Sequence, residues 1–371
     1  MAIRVTAHQR DLISQRFSIQ IPPAPAVRPS QIPFIAEVQA RLKNEEYKLE
    51  FSSCPCGDTE GPIISEVDRY GLPLHFILCA TCGTIRIDPY LDKQSLADFY
   101  TRFFQQMYGR APDVESYFLR QTTYGNKLLP LVQDWLKPGS CVFEIGCGAG
   151  GALDAFRRNG YVIAGCDYSA ELIAAGRQRG VTNIHTGALK DIPAESKADL
   201  IYLTHVFEHM NDPVGFLEDC KTRLAPEGRI AITVPDVSRI DKFTVPAGDL
   251  LQFLHIAHKY NFTFEGIRRL SALAGYSVRR LTPDPKIQTA HSMMPELWIE
   301  LTINKKNAQK LETRRCGDKM LQYLKRTEKM YSLGLCRAQI VQRINNSSFG
   351  NNLVRLRRAT PAKIVRKIRG S

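Results

Sequence analysis

Residues 141–156 read CVFEIGCGAGGALDAF. An apolar run carries an acid near its end, glycine returns at 146, 148 and 150, and an apolar stretch with helical spacing follows. CVFEI is short and apolar, which reads as a buried strand. The glycines then turn the chain directly from strand to helix. Glycine tolerates positive φ and lets a ligand approach the backbone closely. In an open parallel sheet, that turn faces the ligand crevice beyond the carboxyl ends of the strands. No lysine follows the glycines, so the turn is not a phosphate-binding P-loop.

The pattern downstream keeps alternating. GALDAFRRNG reads as a helix ended by Gly160, YVIAGCD as a second strand and SAELIAAGRQRG as a second helix. TNIHT is a weak third strand, ADLIYLTH a fourth and GRIAITVP a fifth, with the helix DPVGFLEDCKTRLA between the last two. FTFEGIRRLSALAG reads as another helix, and YSVRRL and LWIELTIN as the last strands. The expected fold is α/β, a doubly wound and mostly parallel seven-stranded sheet covered on both faces. Around it, residues 1–50 read as a peripheral N-terminal extension. Its IPPAPAVRPSQIP (21–33) is expected to be neither regular helix nor central strand. Residues 51–90 read as a small cysteine module, 91–137 as a helical linker or lid, 138–304 as the sheet domain and 305–371 as a basic helical tail.

CPCG at 54–57 and CATCG at 79–83 place Cys54, Cys56, Cys79 and Cys82 on two glycine-closed turns. Four thiolates on two such turns can surround one tetrahedral zinc, although the first pair is one residue shorter than the usual CxxC. Four protein ligands leave no open position, which predicts a structural Zn2+. Reduced free thiols and a redox pair are the alternatives. Ten cysteines in 371 residues are too sparse for a disulfide scaffold.

EIGCGAG, CDYS, LTHVFEHMNDP and LAPEGRIAITVP, in this order, resemble the class I S-adenosylmethionine-dependent methyltransferases, over about 138–304. The resemblance implies that Gly146, Gly148 and Gly150 border the amino-acid part of S-adenosyl-L-methionine. It implies that Glu144 orients the loop and the cofactor's ammonium group, that Asp167 binds the ribose and that Tyr168 flanks the adenine. Where relatives often carry an acid against the adenine, this chain has Ala188. Leu189 then supplies ring contact and a backbone N–H, with Asp191 a displaced candidate. A cysteine knuckle ahead of such a domain resembles enzymes that methylate deoxysugars on nucleotide carriers, and relatives in surface-polysaccharide and natural-product biosynthesis. Tyr100, Tyr108, Tyr117 and Tyr124 fall where those enzymes cover the sugar. The C-terminal domain of the sugar C-methyltransferases is not matched.

The fourth strand ends at LTH, and VFEHMNDP follows at the crevice. An oxygen or carbon acceptor must lose a proton, and histidine titrates near neutral pH. His209 is the first candidate for the base and His205 the second, with Glu208 orienting an acceptor hydroxyl or facing the sulfonium. His255 and His258 stand three apart and share a face if their stretch is helical. As a metal pair they lack a clear third ligand. The strand-four end is not the Asn/Asp-Pro-Pro-aromatic tetrapeptide of amino-methylating enzymes.

The net charge of +13 is unevenly placed: residues 305–371 carry +15 and the remainder −2. LVRLRRATPAKIVRKIRG, near the C-terminus, alternates Leu353, Val354, Leu356, Ile364, Val365 and Ile368 with arginine and lysine. A basic amphipathic segment of this kind fits an anionic membrane surface or a lipid-linked glycan. Nucleic acid fits less well, because no stacking aromatics accompany the charge. No apolar run reaches the roughly 18 residues of a membrane span. MAIRVTAHQRDLISQRFSIQ has no apolar signal core. The expected location is cytoplasmic, with peripheral contact at the inner face of a membrane. The expected activity is methyl transfer to a small or glycan acceptor, a nucleotide-linked or lipid-linked sugar. An RNA methyltransferase that uses the tail and a non-catalytic cofactor-binding scaffold are the alternatives.

Overall fold

A computed structural model describes residues 9–20, 27–108, 113–242, 249–283, 295–304 and 315–346; the side chains of 281–283 and 336–346 are outside the description. The segment LVRLRRATPAKIVRKIRG therefore lies outside the described residues, as do 21–26 of the proline-rich stretch.

The N-terminal part opens with α1 (Ile32–Lys43), whose first turn holds Pro33. Proline is compatible there because that position's N–H has no helical partner, so the proline-rich stretch does end in a helix. Short β1 (Leu49–Glu50) pairs with β5 (Tyr90–Leu91). Between them β2 (Ile63–Val67), β3 (Pro73–Leu78) and β4 (Ile85–Ile87) form an antiparallel sheet. Helices α2 (Lys93–Phe99), α3 (Gln105–Tyr108) and α4 (Val114–Val132) follow. A π-helical turn at Tyr100–Phe104 separates α2 from α3.

The second part alternates: β6 (Cys141–Ile145), α5 (Gly151–Arg158), β7 (Val162–Asp167), α6 (Ala170–Gln178), β8 (Ile184–Thr186), β9 (Ala198–Thr204), α7 (Pro213–Arg223) and β10 (Leu224–Pro235). Then come β11 (Tyr260–Asn261), α8 (Phe264–Leu273), β12 (Tyr276–Pro283), β13 (Glu296–Ile303) and α9 (Gly317–Asn346). The large sheet has the order β12-β13-β10-β9-β6-β7-β8. Strands β8, β7, β6, β9 and β10 are parallel, and β13 runs antiparallel to both of its neighbours. The chain winds outward from β6 to one edge and then from β9 to the other, so the topological switch falls between β6 and β9. Val142, Leu200, Tyr202 and Ala231 belong to the core on one face, Phe143, Ile201, Leu203, Ile230 and Ile232 to the core on the other. Burial on both faces is why these strands read as nearly continuous apolar runs.

The cysteine module is not free-standing. Its sheet takes a fourth strand, β11, from the segment after β10, with Tyr260 opposite Arg86 and Asn261 opposite Ile85. Its core gathers Phe76, Ile85 and Tyr90 with Phe99 and Phe103, with Leu250 and Phe253, and with Leu324 of α9. The described part of the first fifty residues is not peripheral either: Phe17 and Val38 are fully buried in that same core. Arg16 reaches Asp249 at 2.7 Å and Glu328 at 2.6 Å, tying the N-terminus to α9. The start of α9 is docked rather than tail-like.

Candidate active site

At the switch point, Gly146, Gly148 and Gly150 adopt φ of +74°, +54° and +74°. The loop is folded onto β7 by the amides of Gly146 and Cys147, which both donate to the Cys166 carbonyl at 2.8 and 3.0 Å. A Cβ on Gly148 would stand 2.5 Å from the Tyr117 hydroxyl oxygen, and one on Gly146 would stand 2.4 Å from Val206. Asp167 closes β7 and bridges two backbone donors, Gly148 N and Ser169 N, each at 2.8 Å. Burial nonetheless holds its carboxyl above the usual range. Glu144 is 4% exposed and its Oε2 has no hydrogen-bond partner. Burial pushes that carboxyl far up. A buried acid with an orphaned oxygen beside this loop matches a ligand with a cationic group. Tyr168 is 82% exposed and Leu189 is buried at 6%. Asp191 accepts from the amide of Ala188 at 2.8 Å, so its carboxylate closes its own turn.

Helix α4 lies across the loop. Gln121 Nε2 donates to the Cys147 carbonyl at 2.8 Å and its Oε1 accepts from Gly151 N at 3.4 Å. The Thr204 hydroxyl donates to Tyr124 Oη at 2.7 Å. Sequence reasoning placed Tyr117 and Tyr124 near an acceptor and missed Gln121. The available signal was a glutamine at helical spacing between Tyr117 and Tyr124 on an otherwise apolar stripe.

Beyond β9 the chain enters a strained turn. His205 has φ of +52°, a conformation that non-glycine residues seldom take. Its Nε2 lies 2.7 Å from Glu296 Oε1 and its Nδ1 3.4 Å from Glu208 Oε1. Burial would lower its pKa, but the two carboxylates outweigh burial and push it up to about 10. His205 is thus a fixed cation at neutral pH. Glu296 was not anticipated; an acid opening the apolar strand ELWIELTI was the signal for it.

His209 turns its Nδ1 to the Ala257 carbonyl at 2.7 Å. A carbonyl only accepts, so Nδ1 carries a proton, and in the neutral ring Nε2 carries the lone pair. Tyr100 Oη stands 3.1 Å from the same Nδ1, and the rings of Tyr100 and Phe104 meet His209 edge-on. Both aromatic residues come from the π-helical turn, a feature frequent at functional sites.

The segment carrying His255 and His258 is not helical throughout, so a shared helical face is not what brings the two histidines together. It is a 3-10 turn at Leu250–Gln252 followed by a tight turn in which His258 N donates to the His255 carbonyl at 2.9 Å. That turn still brings the two rings to 3.6 Å between centroids, with His209 and His258 at 4.8 Å. Burial first, and then neighbouring cationic side chains, push both His255 and His258 far down, so both are neutral. Tyr108 packs on His255 at 4.9 Å.

Residues 118–280 match the family described as a methyltransferase domain. Over 117 residues the chain is 30% identical to a ubiquinone biosynthesis O-methyltransferase of Xylella fastidiosa strain 9a5c, covering 30% of this chain and 45% of that protein. Over 198 residues it is 26% identical to the C-methyltransferase NovU of Streptomyces niveus, covering 50% of this chain and 44% of that protein. The chain thus spans less than half the length of either relative. Among solved structures, the glycopeptide N-methyltransferase MtfA is 13% identical with a TM-score of 0.38, over 51% of this chain and 99% of that one.

Ahead of the matched region, the four predicted cysteines converge. Cys54 and Cys82 sulfurs lie 3.6 Å apart, Cys56 and Cys79 sulfurs 3.5 Å apart. Gly57 and Gly83 take φ of +91° and +75°, reversing the chain after each pair. The Cys82 amide points at the Cys79 sulfur at 3.5 Å, and Asp58 Oδ2 accepts from the Thr81 amide at 3.2 Å. The second turn also grips the sheet domain: Thr263, the N-cap of α8, donates to the Cys82 carbonyl at 2.7 Å. The amides of Cys316 and Gly317, at the start of α9, donate to the carbonyls of Thr81 and Ala80.

Proposed function

We propose that the protein transfers a methyl group from S-adenosyl-L-methionine to a small or glycan acceptor, a nucleotide-linked or lipid-linked sugar. The observation that carries this reading is the pairing of one crevice with two kinds of group. On one side are the tight glycine loop, Asp167 and the orphaned oxygen of Glu144. On the other are Glu208 and the free nitrogen of His209. The cofactor supplies an electrophilic methyl on a sulfonium. Glu144 meets its ammonium group, Gly146, Gly148 and Gly150 admit its amino-acid part, and Asp167 holds the ribose hydroxyls. Tyr168 closes over the adenine from its exposed position, with Leu189 on the buried side. As the methyl–sulfur bond breaks and the bond to the acceptor forms, His209 Nε2 takes the acceptor's proton. Alignment by the walls of the crevice supplies much of the rate. His205 is charged already, so its part is to fix Glu208 rather than to accept a proton.

The sugar acceptor is supported by the cap: a cysteine module and an aromatic turn, Tyr100 to Tyr108, fold over the acceptor side. The four cysteines are proposed to hold a structural Zn2+. Bonds of about 2.3 Å in a tetrahedral site set sulfurs about 3.8 Å apart, close to the separations seen. The segment 353–370 is proposed to hold the protein at an anionic inner membrane surface, beside a lipid-linked acceptor.

The test is incubation with methyl-labelled donor and a panel of nucleotide sugars, glycolipids and RNA. Label entering a sugar is the expected result; label entering RNA, or no transfer at all, contradicts it. The same panel is run with anionic vesicles on the full chain and on a chain ending at residue 346. Only the full chain should sediment with them.

A further inference from the structure

Glu208, His209 and His258 each offer one ligand atom, and the three atoms lie within 4.8 Å of one another. Glu208 Oε1 stands 3.8 Å from His258 Nε2 and 4.0 Å from His209 Nε2. The carboxylate is 1% exposed, and neither of its oxygens has a hydrogen-bond partner. Its nearest cation, His205, makes the shorter of its two contacts with Glu296 instead. His205 stands 3.4 Å from one of these oxygens without satisfying it by a hydrogen bond, and a buried carboxylate left without hydrogen bonds costs free energy, so the side of Glu208 that faces the other two imidazoles marks a place for a second cation. The imidazoles around it are ready to ligate. The Nδ1 contact of His209 with the Ala257 carbonyl leaves Nε2 as the lone-pair nitrogen, the arrangement by which an outer hydrogen bond orients a metal-bound histidine.

We propose that Glu208, His209 and His258 form a binding site for a divalent transition-metal cation, separate from the four-cysteine site. Two imidazoles and one carboxylate suit zinc, iron, manganese or cobalt and leave coordination positions open. Metal–ligand bonds of about 2.1 Å put ligand atoms about 3.0–3.4 Å apart, so a bound cation draws each histidine toward Glu208 by about 0.4–1 Å and the two histidines together by up to about 1.8 Å. The site lies where the acceptor is proposed to sit, and the cation's role rests on that reading, although its binding does not. An acceptor hydroxyl takes an open position and loses its proton to water more readily than when free. In that loaded form His209 holds the cation rather than the proton.

The experiment is a titration of the full-length protein, its zinc retained, with Co2+ alone, followed by visible absorption. One Co2+ per chain is expected beyond the zinc, with the bands of nitrogen and oxygen ligation and without the near-ultraviolet bands of thiolate. Glu208→Gln and His258→Gln should each weaken binding at least about tenfold, with the zinc content unchanged. Absence of Co2+ binding by the wild-type protein overturns the proposal. So does binding as tight in folded Glu208→Gln as in the wild type. Neither donor nor acceptor is present, so failure here leaves the methyl-transfer reading standing, and failure of methyl transfer leaves this result intact.

Discussion

His209 has two ring nitrogens in different circumstances. Nδ1 is committed to the Ala257 carbonyl at 2.7 Å, while Nε2 faces Glu208. The nitrogen that can exchange a proton is thus set by a contact on the far side of the ring. Replacing His209 by alanine should lower kcat by about 10²–10⁴ while leaving donor affinity unchanged; the check is steady-state turnover beside a calorimetric donor titration. Unchanged turnover removes His209 as the base. His209, Glu208 and His205 were legible because they follow a strand end, where the crevice of such a sheet has to be. Glu296 and Tyr100 were not legible as their partners. They lie 91 and 109 residues away in sequence from the histidines they meet, and no local pattern encodes such pairs.

Helix α4 shows how an element outside the sheet shapes the glycine loop. Its buried stripe of Phe118, Gln121, Tyr124, Gly125, Leu128 and Val132 lies against α5 and the glycine loop. The approach is close enough that a Cβ on Gly125 would stand 2.5 Å from the Ala152 carbonyl oxygen. Gly125→Ala should therefore destabilise the fold by about 1–3 kcal/mol through overpacking, read from the denaturant midpoint, and should weaken donor binding by displacing Gln121 and Tyr117. Stability equal to wild type contradicts this close packing. The alternation of strands and helices from residue 141 was legible because burial on both faces leaves continuous apolar strands. The pairing of the cysteine module's sheet with a distant strand was not legible, for a physical reason. Four cysteines on two turns look self-sufficient in sequence, but the strand completing their sheet comes from Tyr260–Asn261. His255 and His258 meet through a tight turn, which three-residue spacing alone does not distinguish from a helix.

On the scale of the molecule, two cores meet at one crevice. The N-terminal core draws in Phe17, Val38, Phe253 and Leu324 from segments spread across the chain, and the sheet domain supplies the other wall. The turn at Cys79–Gly83 holds the walls together through Thr263 and the start of α9. In the proposed reading the donor binds the sheet side and the acceptor enters beneath the cap, so that reading depends on the donor occupying the glycine loop. Isothermal titration of the folded protein with S-adenosyl-L-methionine tests this most directly. One donor should bind per chain, be displaced by S-adenosylhomocysteine, and lose at least about tenfold in affinity in Asp167→Ala. Folded protein that takes up no donor, or Asp167→Ala that binds as tightly as wild type, would contradict it.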